Sequence, residues 1–289
     1  MVEARPNVHR RRFGSVMRSL RRTAGLSMED AAKLLGIGKP ALSKIENGKQ
    51  RVSGLGLTAF FGVYGVESEE ARKKVRAMAA LSASGKRTNL LDEYHDAIQT
   101  DSFEDYLHLE GMATTADVFF TQLIPGLLQT KAYATSVVER GQMWASKREV
   151  DRFVDLRLAR QAVLAREDPL KLWCVLDESA LRRVVGSPEA MREQLEWLLK
   201  VPEEHQHVGI QVLPFEVGAH AGIDGAFQIL GFEVGSPVAV VETKTTGLYL
   251  EEDVDLARYR AAFDDLRTRA LDPQKTRRYI QNLIKDIKT

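Results

Sequence analysis

The sequence predicts an α+β protein, in which an all-α head precedes a mixed α/β C-terminal domain with a small sheet. Three observations lead to this prediction. Short apolar periods of helical spacing, separated by glycines, occupy roughly the first seventy residues. Farther along, helical periods mix with short apolar runs that are typical of strands. The apolar content of 44% over 289 residues is sufficient for a buried core.

The composition excludes several classes of protein. Charged residues make up 28%, so the chain is not disordered throughout. A single cysteine excludes a disulfide-stapled secreted scaffold and fits a reducing cytoplasm, which is the expected location. No apolar run reaches the roughly 18 residues of a membrane helix, and no apolar segment follows the N-terminal arginines as in a signal peptide.

The net charge of +1 conceals an uneven distribution along the chain. Residues 1–53 contain 12 Lys or Arg and 4 Asp or Glu, a balance of +8, and the remainder carries −7. A basic segment on an acidic body is typical of a nucleic-acid-binding arm. A solvated basic tail has the same composition, so a folded motif is needed to decide between the two.

The head begins with two helices whose ends are marked by particular residues. Residues 13–24 have apolar residues on one helical face, and Gly25 follows as a C-terminal cap. Ser27 is a typical N-cap for the second helix, with Asp30 three residues later. These two helices are therefore predicted to meet at a short glycine-containing connection.

A third helix over residues 39–47 completes a recognisable arrangement. Gly36 ends the second helix, and Leu42 and Ile45 form the buried side of the third. Two short helices joined by a turn that contains glycine form a helix-turn-helix. The remaining helices predicted in the head are 53–64 and one from residue 67.

The stretch 26–49 resembles the phage-repressor (XRE-type) helix-turn-helix. Its most specific part is residues 43–49, Ser-Lys-Ile-Glu-Asn-Gly-Lys, which match the S-x-I-E-x-G-K end of that family's recognition helix. The resemblance covers roughly residues 10–70 and implies a third helix that lies in the major groove of double-stranded DNA. A DNA-binding domain is therefore predicted over residues 1–82.

Two groups of DNA-contacting residues are predicted. The outward positions of the third helix face base edges, where lysine and serine donate hydrogen bonds and proline contacts a thymine methyl: Lys39, Pro40, Ser43 and Lys44. The residues predicted to contact phosphates are Arg21, Asn47, Lys49 and Arg51. Whether the basic run 10–12 enters a minor groove or contacts phosphates is left open.

The head and the body are predicted to be separated by a linker over residues 83–93, because residues 82–88 are small, polar and glycine-containing. The C-terminal domain then spans 94–289. Its predicted helices are 103–115, one through Ala134 and Val138, 150–166, 188–200 and two C-terminal helices that contain 256–270 and 280–287. Its predicted strands are 172–176, 208–213, 226–232 and 238–242.

Several motifs of this body, in order, resemble one family of regulators. They include Ile-Pro-Gly-Leu-Leu-Gln-Thr at 124–130, Val-Leu-Asp-Glu at 175–178 and Gln-Val-Leu-Pro at 211–214. The family is that of WhiJ-like actinobacterial proteins, in which an XRE-type head precedes a domain of unassigned function. The resemblance implies a transcriptional regulator, often encoded beside a small partner protein, with an antitoxin-like role also ascribed. It supplies no ligand and no catalytic residue.

No enzymatic activity, metal site or cofactor is predicted. The chain lacks the H-E-x-x-H, G-x-S-x-G and P-loop motifs. His220 with nearby Asp224 is the one acid–base candidate, and a loop histidine is more often structural. Cys174 lies in an apolar run and is interpreted as a small buried hydrophobe.

Charged residues beside apolar runs of the body form the candidate pocket for a ligand or partner: Arg157, Arg160, Glu178, Arg182 and Glu242. Such charges must be either paired or solvated. The alternative interpretation is an internal network of ion pairs that holds helices to the sheet.

The predicted function is a sequence-specific regulator that binds double-stranded DNA as a homodimer on a pseudo-palindrome, with heads about one helical turn (~34 Å) apart. A small-molecule effector or a partner is expected to act through the C-terminal domain. The alternative is an antitoxin-like module that binds a small neighbour-encoded protein and regulates its own expression by binding DNA.

Overall fold

Short helices that end at glycines make up the first part of the structure, as their apolar spacing predicts. The computed structural model describes residues 8–84, 89–98, 100–141, 146–243 and 246–287. These residues divide into two compact units, and the first contains the described residues before position 89 together with Phe232–Pro237. Its helices are α1 (Val8–Thr23), α2 (Met28–Leu34), α3 (Lys39–Glu46), α4 (Gly54–Val63) and α5 (Glu69–Ser84).

Helix α1 packs directly on α3 in the core of the first unit. The buried apolar residues that these two helices contribute are Phe13, Val16, Met17, Leu42 and Ile45. Their backbones approach closely at Gly14, where a Cβ would lie 2.6 Å from the Glu46 carbonyl oxygen. A glycine at this position therefore allows the approach that fixes α3 on α1.

The second unit is built on a mixed sheet. Its strands are β1 (Thr115–Phe120), β2 (Lys171–Asp177), β3 (Val208–Leu213), β4 (Phe227–Gly231), β5 (Val238–Glu242) and β6 (Gly247–Leu250). The six strands lie in the order β3-β2-β1-β4-β5-β6. Strands β1, β2 and β3 are parallel, whereas β4, β5 and β6 continue the sheet in antiparallel pairs.

The helices of this unit lie in the chain before β1, between the parallel strands and after β6. They are α6 (Asn89–Glu93), α7 (Asp101–Met112), α8 (Lys131–Arg140), α9 (Lys147–Ala159), α10 (Glu178–Arg182), α11 (Pro188–Glu204), α12 (Asp253–Arg269) and α13 (Pro273–Asp286). No helix of the described residues is long and apolar enough to cross a membrane.

The two faces of the sheet have different surroundings. On one face, Phe119 and Val175 pack with Phe263 and Leu266 of α12. Because side chains alternate along a strand, the residues on either side of Phe119 belong to the opposite face. That second face is where the polar cavity described below is found.

The predicted α+β class, with a helical head and a mixed α/β body, is confirmed. The predicted strands 208–213 and 238–242 have the observed bounds, but β1 and β6 were not predicted. The helix predicted over 103–115 ends at Met112, because the residues that follow pair with β2 and β4 as β1.

The predicted linker 83–93 is only partly described. Residues 83 and 84 end α5, residues 85–88 lie outside the described residues, and residues 89–93 form α6. The last part of the predicted linker is therefore helical, and contacts assign it to the second unit.

The segment Phe232–Pro237, which lies between β4 and β5 in the chain, completes the first unit. Arg12 of α1 donates hydrogen bonds to the carbonyl oxygens of Val234, at 2.8 Å, and Ser236. Its guanidinium lies 3.8 Å from the centre of the Phe232 ring. Arg12 is only 2% exposed, so this arginine of the basic run is part of the core of the unit rather than its surface.

Candidate nucleic-acid interface and polar cavity

Helix α2, the turn after it and α3 form the helix-turn-helix. The Ser27 hydroxyl accepts a hydrogen bond from the Asp30 amide at 3.1 Å and caps α2 as predicted. Gly36 in the turn has a φ of +66°, a left-handed conformation that glycine adopts without strain. Gly38 then precedes the first turn of α3. The local sequence thus determines where each of the two helices begins and ends.

A buried ion pair joins α1 to α3. Arg21 donates from Nε and Nη2 to the two carboxylate oxygens of Glu46, at 2.7 and 3.0 Å. Its Nη1 donates to the Leu26 carbonyl oxygen at 2.8 Å. Arg21 is 8% exposed and Glu46 is 2% exposed. Arg21 was predicted to contact a phosphate; in the structure its guanidinium lies inside the unit, where it is paired with Glu46 and positions α3.

The residues predicted to contact bases lie on the side of α3 that is not buried. Leu42 and Ile45 face the core, with 0% and 4% of their surface exposed. The four residues predicted to contact bases are exposed or, in the case of serine, partly exposed: Lys39, Pro40, Ser43 and Lys44. One side of α3 is thus fixed to α1, and the other presents two lysines to solvent.

The end of α3 adds a second group of polar residues. Asn47, Lys49 and Arg51, all predicted to contact phosphates, are exposed. The Asn47 Oδ1 accepts a hydrogen bond from Arg18 Nη2 at 2.7 Å. Arg18 was not predicted as a site residue, although it precedes Arg21 by three positions and so shares its helix face. The structure thus places one more cation beside the end of α3.

In the second unit, a cavity of about 200 Å³ lies on the face of the sheet opposite α12. Its walls come mainly from α7, α9, β1 and the segment 124–129. The aromatic residues of the wall are Phe103, Tyr106 and Phe120. Of the five predicted pocket residues, the cavity is lined by Arg157, Arg160 and Glu242. Apolar side chains complete most of the remaining wall.

Arg160 lines this cavity and forms an ion pair with a buried glutamate. Its Nε and Nη2 donate to the two carboxylate oxygens of Glu110, each at 2.8 Å. The Tyr106 hydroxyl donates to the same carboxylate at 2.7 Å, and the guanidinium lies 5.1 Å from the Tyr106 ring centre. Arg160 and Glu110 are 7% and 2% exposed. They form a closed, charge-balanced pair.

Arg157, one turn earlier on α9, has no such carboxylate. Its Nη1 donates to Gln129 Oε1 at 3.0 Å, and its buried Nε has no hydrogen-bond partner among the described residues. No carboxylate of the described chain lies within 4.0 Å of its guanidinium. Burial and the neighbouring charge of Arg160 lower the pKa of Arg157 to about 10. The group stays protonated at neutral pH, with its charge only partly compensated.

Glu242 contributes a carboxylate to the lining of the cavity. The residue is exposed at the end of β5, but its Oε2 accepts a hydrogen bond from the buried Gln228 at 3.4 Å. Glu242 therefore lines the cavity at a position that is open to solvent. Loss of hydration raises the pKa of Glu242, and the charges of Arg160 and Arg157 oppose that rise.

The other two predicted pocket residues lie elsewhere in the unit. Glu178 and Arg182 form an ion pair with each other on α10, and Glu178 also accepts a hydrogen bond from the Phe215 amide at 2.9 Å. Helix α10 follows the C-terminal end of β2, whereas the cavity is lined by Leu172 near the other end of that strand. The predicted group of five residues is therefore divided between two places.

Two segments of the chain match known protein families. Residues 12–74 match a family described as a helix-turn-helix domain. Residues 103–282, more than half of the chain, match the family described as a domain of unknown function, DUF5753. The chain belongs to the DUF5753 family. Comparisons with curated proteins and with solved structures find no match for it.

Two further residues of the DUF5753 region have reactive side chains that the sequence singled out, namely Cys174 and His220. Cys174 is completely buried, and burial raises the pKa of its thiol. The Nε2 of His220 lies 3.9 Å from a carboxylate oxygen of Asp177 rather than pairing with Asp224. Within the described part of the chain, no group of three or more His, Cys, Asp or Glu residues is placed to hold a metal ion.

Proposed function

We propose that this DUF5753 chain is a sequence-specific transcriptional regulator of the XRE type that binds double-stranded DNA. The observation that carries the proposal is the position of α3. The buried pair of Arg21 and Glu46 fixes one side of the helix, and the basic residues of the other side are exposed. A helix held in this way can enter a major groove with its N-terminal residues at base edges.

The exposed residues divide by the kind of contact they can make. Lys39, Pro40, Ser43 and Lys44 are proposed to contact bases, because they lie along the outward side of α3. Asn47, Lys49 and Arg51 follow the helix and are proposed to contact phosphates, which fix the protein on the duplex without reading its sequence. Arg18, hydrogen-bonded to Asn47, joins the second group.

Two copies of the chain are proposed to act together, because a regulator that reads a two-fold operator has to dimerise. A dimer places two recognition helices on half-sites about one helical turn (~34 Å) apart, so the operator is expected to be a pseudo-palindrome. A small-molecule effector or a partner protein is proposed to act through the DUF5753 region, by binding one arrangement of the dimer better than another.

The experiment selects bound sequences from random duplex DNA with the full chain, and then compares Lys44→Ala with Lys49→Ala on selected and random duplexes over a range of salt concentrations. Loss of a base contact by Lys44→Ala should cost about 1–3 kcal/mol on the selected duplex alone. Loss of a phosphate contact by Lys49→Ala should weaken binding to both duplexes and reduce the salt slope by about 1.

Lys73→Ala is the matched control, because this lysine is exposed on α5, away from the helix-turn-helix. It should leave both affinities unchanged. Equal losses on both duplexes for Lys44→Ala and Lys49→Ala would contradict the division into base and phosphate contacts. If the full chain selects no motif, the antitoxin-like alternative, in which the chain chiefly binds a small neighbour-encoded protein, becomes the better hypothesis.

A further inference from the structure

The cavity of the second unit is lined by Arg157, whose guanidinium is hydrogen-bonded to a neutral amide and to no carboxylate of the described residues. Arg157 presents a guanidinium to a space of about 200 Å³, with a buried Nε that has no partner among the described residues. A guanidinium binds a carboxylate through two parallel hydrogen bonds, as Arg160, three residues later in the chain, does with Glu110. Arg157 thus has the chemistry of its neighbour, but the one opposite charge beside it in the described lining, that of Glu242, acts through space rather than through a hydrogen bond.

We propose that this cavity binds a small carboxylate with an apolar body, its carboxylate group on Arg157 and its body against the aromatic wall. Such a molecule would be the effector of the regulator described above. Its role as an effector rests on the proposed function, whereas its binding to the cavity does not.

The contacts around Arg157 favour an anion over a neutral ligand. Gln129 is 2% exposed, and its Nε2 donates to the Ile124 carbonyl oxygen at 2.7 Å. This hydrogen bond fixes the orientation of the amide, so that Oε1 faces Arg157 and occupies one donor of the guanidinium. Gln129 supplies only a neutral acceptor. A half-buried and partly desolvated guanidinium such as that of Arg157 gains most from an ionised acceptor, because hydrogen bonds between ionised groups are about twice as strong as neutral ones.

The size and lining of the cavity limit the rest of the ligand. A cavity of ~150 Å³ lined by apolar side chains is sufficient to hold benzene. The volume of about 200 Å³ therefore accommodates one ring with a carboxylate attached. Phe103 and Phe120 supply aromatic surface, and Val118 and Leu127 supply aliphatic surface. The expected ligand is thus a one-ring or comparably small aliphatic acid.

Glu242 provides a second test of whether the ligand is an anion, because removing its negative charge should strengthen binding rather than weaken it. Its carboxylate lines the same cavity and would repel an incoming anion. Glu242→Gln removes that repulsion and keeps an oxygen that can accept the hydrogen bond from Gln228. A ligand carboxylate bound in this cavity should therefore be held more tightly by this variant.

The experiment measures binding of benzoate and phenylacetate to the full chain by calorimetry without DNA, with benzamide and phenylacetamide as neutral analogues of the same shape. At least one carboxylate should bind more tightly than its amide by about tenfold or more, the effect of a hydrogen-bonded charge. Arg157→Gln should abolish this preference, and Glu242→Gln should increase it several-fold, roughly the effect of removing one repelling charge.

Arg148→Gln is the control, since this exposed arginine lies on the same helix and its loss changes the net charge equally. It should bind like the wild type. If Arg157→Gln fails to fold, Arg157→Lys retains the charge without the planar fork and should bind more weakly than the wild type. Absence of binding to either carboxylate at about 10 mM, or equal binding by the wild type and Arg157→Gln, would overturn the proposal. DNA selection by the same protein reports separately on the proposed function.

Discussion

Each unit of this chain buries one arginine–glutamate pair, but the two pairs have different neighbours. Arg21 and Glu46 join two helices in the first unit, and Arg160 and Glu110 join α7 to the end of α9 in the second. Near the first pair, Arg18 is half-buried with its Nε 3.6 Å from Glu46 Oε2, and Lys44 and Lys49 are exposed. The cation next to the second pair, Arg157, lines a cavity. A buried arginine that is hydrogen-bonded to a carboxylate is part of the framework, whereas the half-buried Arg157, which is hydrogen-bonded to no carboxylate of the described residues, is the one proposed to bind a ligand.

The two kinds of arginine are also expected to affect different properties, because loss of a paired arginine changes stability and loss of Arg157 changes the proposed ligand binding. Removing one partner of a buried pair leaves an uncompensated charge and is strongly destabilising. Removing a desolvated cation that is hydrogen-bonded to no carboxylate takes away an unfavourable charge along with the proposed ligand contact. The following three substitutions test that contrast, in order of decreasing expected effect.

The largest effect is expected for Arg160→Met. It leaves Glu110, 2% exposed, as a buried carboxylate with only the Tyr106 hydroxyl to stabilise it. We expect the free energy of unfolding of the second unit to fall by about 3–5 kcal/mol. All three tryptophans lie after residue 89, so urea unfolding followed by tryptophan fluorescence reports on this unit. Arg148→Met, an exposed change on the same helix, should alter the value by less than about 0.5 kcal/mol. Equal effects of the two substitutions would contradict a closed Arg160–Glu110 pair.

A smaller loss is expected for Glu46→Gln in the first unit. The substitution retains a hydrogen-bond acceptor for Arg21 but removes the opposite charge, and the Leu26 carbonyl oxygen remains a partner. We expect a loss of about 1.5–3 kcal/mol, measured by far-ultraviolet circular dichroism in urea, with weaker binding to all DNA because α3 is held less firmly. Glu29→Gln on α2, with its side chain 83% exposed, is the control. Full stability in Glu46→Gln would show that packing alone holds α3.

The smallest effect on stability is expected for Arg157→Met. The free energy of unfolding should stay within about 1 kcal/mol of the wild-type value or rise, because methionine removes a desolvated charge that is hydrogen-bonded to no carboxylate. The folded chain holds the Arg157 proton less tightly, with a pKa of about 10, than an unfolded chain does. The unfolded state therefore binds more protons above that pH, and the wild type gains stability there relative to the variant.

Urea unfolding of Arg157→Met and the wild type at neutral pH and near pH 10.5 measures this difference. Any advantage of the variant at neutral pH should shrink at the higher pH. A loss at neutral pH as large as that of Arg160→Met would contradict the contrast between the two arginines.

The helix-turn-helix shows which features the sequence predicts reliably. Ser27, Gly36 and Gly48 act on the backbone within a few residues of their own positions, by capping a helix or by adopting a left-handed conformation. The apolar period of α3 likewise separates its buried from its exposed residues. These effects are local, so the positions of Lys39 and Lys44 on the outward side follow from the sequence.

The sheet shows where local reasoning fails. Strands β3 and β5 are apolar along most of their length and were predicted with their observed bounds. β1 was partly assigned to the preceding helix, because its first residues, Thr115 to Asp117, give no strong apolar run. Its strand conformation results from pairing with β2 and β4, which lie far along the chain.

The sequence by itself determined the helix-turn-helix, the exposed basic residues of α3 and the class of the body. Only the tertiary structure decided which arginines are structural. Arg21 meets Glu46 across 25 residues and Arg160 meets Glu110 across 50, and no local pattern encodes either pairing. The pairings also leave Arg157 without a carboxylate. A side chain's charge is read from the sequence, but its electrostatic balance depends on which distant groups the fold brings within hydrogen-bonding distance.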